Sequence, residues 1–241
     1  MNEFLTIGHR GAKGYVMENT ITSIDYALKL GVNAIEIDVY KCLTGELVVF
    51  HDETLERLSA RANRIEDLSL DEIRLLLLHG GYSIPTLEEV IVFLDNRVVL
   101  NVELKGLRTA TEAFSIITKC IEKGIFDRDN LIISSFHDDE LRAYRRLDAN
   151  VKLGVLTRTS IEDDLDLAKE LKAYSLHPFF KECDKSLIEL AHDLALKVFP
   201  FTVNEEIEIE QYIRDGADGM FCDYPDRVLK ILKNQSQINK D

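Results

Sequence analysis

Along the whole chain, short runs rich in β-branched and aromatic residues alternate with segments whose apolar positions recur every three or four residues. The strand-like runs are FLTIGH (4–9), AIEIDVY (34–40), ELVVFH (46–51), VVLNVELK (98–105), LIISSF (131–136), KLGVLT (152–157), AYSLHP (173–178), KVFPFTV (197–203) and GMFCDY (219–224). Between them lie helix-like segments such as TSIDYALKLG, TLEEVIVFL, ATEAFSIITKCIEKG and EEIEIEQYIRDG. Several close on Gly after a turn carrying Lys or Arg, as a helix C-terminus does. Strand then helix, repeated about eight times, is the rhythm of a (β/α)8 TIM barrel. The rhythm breaks once, where LSLDEIRLLLLHG and PTLEEVIVFLDN follow ELVVFH before the next strand. Part of this stretch, about 52–90, is expected to be a short insertion after the second strand region, lying over the barrel mouth. With no low-complexity linker, one domain is expected over 1–241, with a frayed polar tail at 233–241.

One strand departs from a purely apolar pattern. In AIEIDVYKC, Glu36 and Asp38 alternate with Ile35, Ile37 and Val39, so the acids share one face and the aliphatics the other. Working groups of such a barrel sit at the C-terminal ends of its strands. GHRG ends the first strand, HDE follows ELVVF, and NVELK puts Asn101, Glu103 and Lys105 on one face of a later strand. Any one of the acids could pair with a Lys or Arg of the rim. An i, i+2 pair joined by a third carboxylate would instead repel in a dry mouth unless protonated or shared by a cation. All-oxygen donors suit one hard divalent cation, Mg²⁺ or Ca²⁺. His9 and His51 are the natural general acid and base. Arg10 and Lys105 are candidate anchors for an oxyanion or phosphate, Arg10 only where the chain turns at Gly11. Such a set fits hydrolysis or transfer at an anionic ester, phosphoryl above all, and also metal-assisted enolisation.

A formal net charge of −14 argues against sequence-independent nucleic-acid binding, which draws its affinity from Lys and Arg on phosphates. Cys42, Cys120, Cys183 and Cys222 show neither metal-ligand spacing nor a disulfide frame, so reduced thiols in a cytoplasmic protein are expected. The start MNEFLTIGH has no basic and then apolar leader pattern, and no apolar run reaches the length of a membrane anchor. Homo-oligomer and monomer are both compatible with this composition.

The block IGHRGAKGYVMENTITSIDYALKLGVNAIEIDVYKCLTGELVVFHDETLERLS resembles the opening of the glycerophosphodiester phosphodiesterases, which carry HRG, ENT, E-x-D-V and an HD pair in this order. The similarity continues through IPTLEEVI, NVELKG, SSF, FTVN and GADGMFCDYP, so it covers nearly the whole chain. The resemblance implies a TIM barrel with a small insertion, His9 and His51 as catalytic residues, and Glu36, Asp38 and Glu103 as metal ligands. It further implies Arg10 and Lys105 as phosphate anchors, and hydrolysis of small-molecule glycerophosphodiesters to glycerol 3-phosphate and an alcohol, a reaction of lipid and glycerol metabolism. Departures are Met17 where the family commonly has Pro, the turn Cys42, Leu43, Thr44 and Gly45, and Phe201 where it often has Trp. Phe201 keeps an aromatic face for substrate or for the core but loses the indole N–H donor. Alternatives are a phospholipase D-like enzyme acting on lysophospholipids and a barrel that binds without turnover. His137 is most simply part of an acidic helix N-terminus, His177 is ambiguous, and His79 and His192 are expected on exposed helical surfaces.

Overall fold

The computed structural model describes residues 4–157 and 160–238. Its strands are β1 (Leu5–Gly8), β2 (Ala34–Lys41), β3 (Leu47–Val49), β4 (Val99–Leu104), β5 (Leu131–Ser135), β6 (Lys152–Leu156), β7 (Ser175–His177), β8 (Lys197–Val198) and β9 (Gly219–Cys222). Their order is β8-β7-β6-β5-β4-β2-β1-β9, every neighbour parallel, which gives the eight staves of a barrel with helices outside. The backbone crosses the remaining seam where Asp218 N–H donates to Val198 O at 3.0 Å and Phe221 N–H to Pro200 O at 3.1 Å. The barrel expected from the strand and helix rhythm is therefore present.

Strand parity divides the interior in two. Ile35, Ile37, Val39, Leu100, Val102, Leu104, Ile133, Leu153 and Val155 point outward into one large core shared with the helices. Positions of the other parity face the barrel axis, where Ile7, Ala34, Ile132, Phe199 and Phe221 form a small apolar plug. Above the plug the same face turns polar, with Glu36, Asp38, Asn101, Glu103 and Ser134 all buried. His177 also lies inside, fully buried, its Nε2 sharing a 2.8 Å hydrogen bond with Ser175 Oγ. Room for that ring comes from Gly154, where an added Cβ would sit 2.4 Å from His177 Cε1. Burial takes His177 down to about 3, so it stays neutral.

Two expectations are corrected here. ELVVFH is not a barrel stave but β3, paired antiparallel with β2 through Val39↔Val49 and Lys41↔Leu47, a hairpin that the β-rich composition alone cannot tell from a parallel strand. LSLDEIRLLLLHG is helical only over Leu70–Arg74, capped reciprocally by Ser69 and Glu72. The leucines that follow alternate, Leu76 and Leu78 buried with Leu75 and Leu77 exposed, a period of two that a helix cannot offer. Between β3 and the helix Leu87–Leu94, this segment builds its own small core from Phe50, Leu55, Leu58, Ile65, Ile73 and Ile84 with Val48 and Tyr40. At the C-terminus the polar composition does not stop the helix Pro225–Ile238; the end of the tail, 239–241, lies outside the described residues. All four cysteines are buried free thiols.

Candidate active site

Register brings the three acids together. Asp38 of β2 pairs with Glu103 of β4, and Glu36 lies two residues earlier on the same face as Asp38. One oxygen of each lies within 4.8 Å of the others, and all three residues are buried. Burial, then Asp38 and Glu103, push Glu36 well above the usual carboxylate range. Burial and Asp38 likewise lift Glu103 to about 7 although Lys105 opposes them. For Asp38 the burial penalty is outweighed by Arg10, His51 and Lys105, and its carboxyl is held low.

The hydrogen bonds around the cluster are unevenly shared. Asp38 Oδ2 accepts from Asn19 Nδ2 at 2.9 Å and faces Arg10 Nε at 3.2 Å without hydrogen-bond alignment, while Glu103 Oε1 accepts from Lys105 Nζ at 2.9 Å. Glu36 Oε2 accepts from the Arg10 N–H at 2.9 Å, but its Oε1 is buried without a partner. An orphaned buried oxygen within an all-carboxylate group is what a hard divalent cation would satisfy, so the residues fit one.

Arg10 reaches this cluster because the chain turns sharply after β1. Arg10 has φ 53° and Gly11 φ 84°, and a Cβ at Gly11 would meet Ser23 Oγ at 2.5 Å, so only glycine fits. The turn carries the Arg10 side chain inward, where Nη1 donates to Glu18 Oε1 at 2.7 Å. Glu18 and Asn19 come from the ENT motif, whose Thr20 caps the helix Ile21–Leu30 by accepting from the Ser23 N–H. One tripeptide thus starts a helix and holds two polar side chains of the site.

Both histidines are fixed by carboxylates. His9 Nδ1 lies 2.6 Å from Asp223 Oδ1, and His51 Nδ1 lies 2.6 Å from Asp52 Oδ1. A carboxylate only accepts, so each Nδ1 carries a proton and each neutral ring keeps Nε2 as its acceptor. Asp223 is itself oriented by Asn204 Nδ2 at 3.0 Å and is held down to about 2, burial being outweighed by His9. Burial lowers His9 to about 4 despite Asp223, and lowers His51 as well. The hairpin places His51: Phe50 N–H donates to Asp38 O at 3.0 Å, so the next residue emerges at the acidic end of β2.

Beside Glu103 and Lys105 opens a cavity of about 320 Å³ lined also by Tyr40, Glu53, Arg64 and Phe136. Phe201 is half-buried, edge-on to Phe136 at 5.7 Å, and meets Phe179 and Phe221, so it packs against the apolar plug. A larger cavity, about 380 Å³, lies between Leu5, Val99, Lys152 and Lys197, the first residues of their strands, at the end of the barrel away from these groups. His137 Nε2 bonds to Lys105 O at 3.2 Å and precedes the helix Asp138–Leu147. His192 sits on a helix near the surface against Asp218, whereas His79 is exposed but outside any helix.

His9, Arg10, Glu36, Asp38, His51, Glu103 and Lys105 thus gather at one rim, whereas His177 is buried against the plug. Not singled out were the groups behind them, Glu18, Asn19, Asp52, Asn204 and Asp223; the signals for them were the ENT, HD, FTVN and GADGMFCDYP motifs that contain them.

Residues 9–227 match the sequence profile of the Glycerophosphoryl diester phosphodiesterase family. A glycerophosphodiester phosphodiesterase of Caldanaerobacter subterraneus subsp. tengcongensis is 33% identical over 238 residues, covering 95% of this chain and 98% of its own. One of Bacillus altitudinis is 32% identical, over 92% of this chain and 96% of its own. Among solved structures, an Oleispira antarctica phosphodiesterase in complex with the product sn-glycerol-3-phosphate superimposes with a TM-score of 0.85 at 27% identity, covering 94% of this chain and 96% of that one.

Proposed function

The chain belongs to the glycerophosphoryl diester phosphodiesterase family, and from that membership we propose that it hydrolyses small glycerophosphodiesters to glycerol 3-phosphate and an alcohol. In this reading Glu36, Asp38 and Glu103 hold one divalent cation, Mg²⁺ or Ca²⁺, and His9 and His51 are the acid–base pair. The observation that supports it most is that two imidazoles, each oriented by a carboxylate, stand at the same rim as a buried carboxylate cluster. When bound, the cation supplies positive charge to the phosphate oxygens.

The remaining chemistry belongs to the chain. A leaving alkoxide must gain a proton and the attacking oxygen must lose one, so two groups of opposite starting protonation are required. With both Nδ1 atoms committed to carboxylates, Nε2 of one neutral ring accepts and Nε2 of the other, charged, ring donates. The glycerol 2-hydroxyl, adjacent to the phosphate, attacks phosphorus as its proton passes to the neutral ring; the bond to the alcohol breaks and the alkoxide takes the other ring's proton. Water then opens the cyclic phosphate with the two roles exchanged. Arg10, whose Nη1 is held by Glu18, presents its other terminal nitrogen to a phosphate oxygen, and Lys105 does so from Glu103. Phe201 and Phe136 wall the substrate.

The test is incubation with glycerophosphocholine, glycerophosphoethanolamine and lysophosphatidylcholine, with and without chelator, products being identified by mass spectrometry. Glycerol 3-phosphate should form from the first two, and chelator should abolish it. Full turnover in a verified metal-free preparation would end the metal assignment. A higher kcat/KM on lysophosphatidylcholine would establish the phospholipase D-like alternative.

A further inference from the structure

We propose that Arg57 is a positioning residue that sets His51 and Arg10 together, an inference resting on the roles given to those two above. Arg57 is no part of the barrel: it lies in the segment after β3, between Leu55 and Leu58, both buried in that segment's own core. Its backbone is therefore pinned on either side. The side chain, 46% exposed, makes three hydrogen bonds through its guanidinium. Nε donates to Asp52 Oδ2 at 2.6 Å, while Nη1 and Nη2 fork onto Glu18 Oε2 and Oε1 at 2.9 and 2.6 Å.

Each acceptor leads to the site. Asp52 uses its other oxygen, Oδ1, to hold His51 Nδ1. Glu18 Oε1 also takes Arg10 Nη1, and Arg10 in turn faces Asp38. A continuous chain of charged contacts thus runs His51, Asp52, Arg57, Glu18, Arg10, Asp38. Arg57 links its two halves, joining Asp52 and His51 of its own segment after β3 to Glu18 and Arg10 of the turn after β1.

The geometry differs from an ordinary surface ion pair, which contributes little. Glu18 is only 4% exposed, so its charge depends on the two guanidinium groups beside it; their combined effect, with burial opposing, holds Glu18 down to about 2. Without Arg57, two carboxylates lose the cation between them, Asp52 is free to rotate away from His51, and Glu18 can hold Arg10 alone and less firmly. Lysine cannot substitute, because one ammonium cannot reach both acceptors in the plane of a guanidinium fork.

The experiment uses the full chain with Mg²⁺ or Ca²⁺ present and compares wild type, Arg57→Gln and Arg57→Lys, with thermal melts to establish folding. Loss of positioning partners of this kind costs roughly 10- to 100-fold in activity. Arg57→Gln should therefore lower kcat on glycerophosphocholine by about that factor and raise KM, with Arg57→Lys recovering only part. Arg142→Ala, which breaks a comparable but remote fork on Glu170, should leave both constants unchanged and controls for loss of an ion pair. The second readout needs no turnover: ¹⁵N NMR of the imidazoles should show the His51 Nδ1–H tautomer of wild type giving way to a mixture in Arg57→Gln. If Arg57→Gln fails to fold, Arg57→Lys carries both measurements. Either readout remaining at its wild-type value in a folded variant overturns the proposal. Should wild type cleave no glycerophosphodiester, the proposed function fails, and the imidazole spectrum alone still decides whether Arg57 holds His51.

Discussion

Cation binding at the carboxylate cluster is expected to expel protons. Three ligand oxygens lie within 4.8 Å of one another; two full charges at that distance repel by about 3.5 kcal/mol at an effective dielectric of about 20. Arg10 and Lys105 offset part of this, and they favour Asp38 above all, which is the acid held low. The proton is therefore left on Glu36, raised well above the ordinary range, and partly on Glu103, raised to about 7. A divalent ion coordinates carboxylates, not carboxylic acids, so binding near pH 7 should be accompanied by proton release. Isothermal titration of Mg²⁺ or Ca²⁺ into chelator-stripped protein, repeated in buffers of different ionisation enthalpy, reads this release directly. Glu36→Gln should bind more weakly and release fewer protons, because the carboxyl raised furthest above the ordinary range is removed. Binding with no proton release, or the same release in Glu36→Gln, would refute the reasoning.

Three further outcomes follow from particular contacts. His9→Ala and His51→Ala should each lower kcat by at least about two orders of magnitude, and the double variant should be little worse, because groups that act as a unit are not additive; near wild-type turnover in either, with metal bound, would make that histidine structural. Gly154→Ala drives a methyl group to 2.4 Å from the His177 ring and should cost about 1–3 kcal/mol in urea or thermal unfolding, a loss that Gly154→Ala with His177→Ala should partly relieve. Asp218, held low because hydrogen bonds from Lys197, His192 and the Val198 N–H outweigh burial, stabilises the fold only while ionised. That contribution is complete above the unfolded pKa of about 3.9 and disappears as pH falls through the lower folded value, so Asp218→Asn should narrow the difference in melting temperature between pH 6 and pH 3; an unchanged difference would contradict it.

The sequence carried the metal candidates unusually well, because a period of two in β2 and β4 leaves Glu36, Asp38 and Glu103 no face but the barrel axis. It carried the positions of the nine strands among the described residues as β-rich runs, yet not the direction of β3, since antiparallel and parallel pairing draw on the same residues. What it did not show was the polar support. His9 and Asp223 are 214 positions apart, and Arg57 meets Glu18 across 39, so no local spacing encodes either pair. Glu18, Asp52 and Asp223 also read as ordinary loop acids until the fold supplies their partners. The leucines at 75–78 misled for a different reason: four in a row fit a helix and a strand equally, and only burial on alternate residues separates them.

The His9–Asp223 pair has a consequence for how the protein comes into being. Its two members sit at the ends of β1 and β9, the first and last staves, which lie side by side through Ile7↔Phe221 and Gly8↔Cys222. The carboxylate that fixes the His9 tautomer is synthesised 214 residues after the ring itself. No nascent fragment short of residue 223 can assemble the dyad, however well its earlier strands have paired. Fixing the His9 tautomer is therefore coupled to closure of the β1–β9 seam, so a fragment lacking β9 should show the His9 imidazole in a mixture of tautomers.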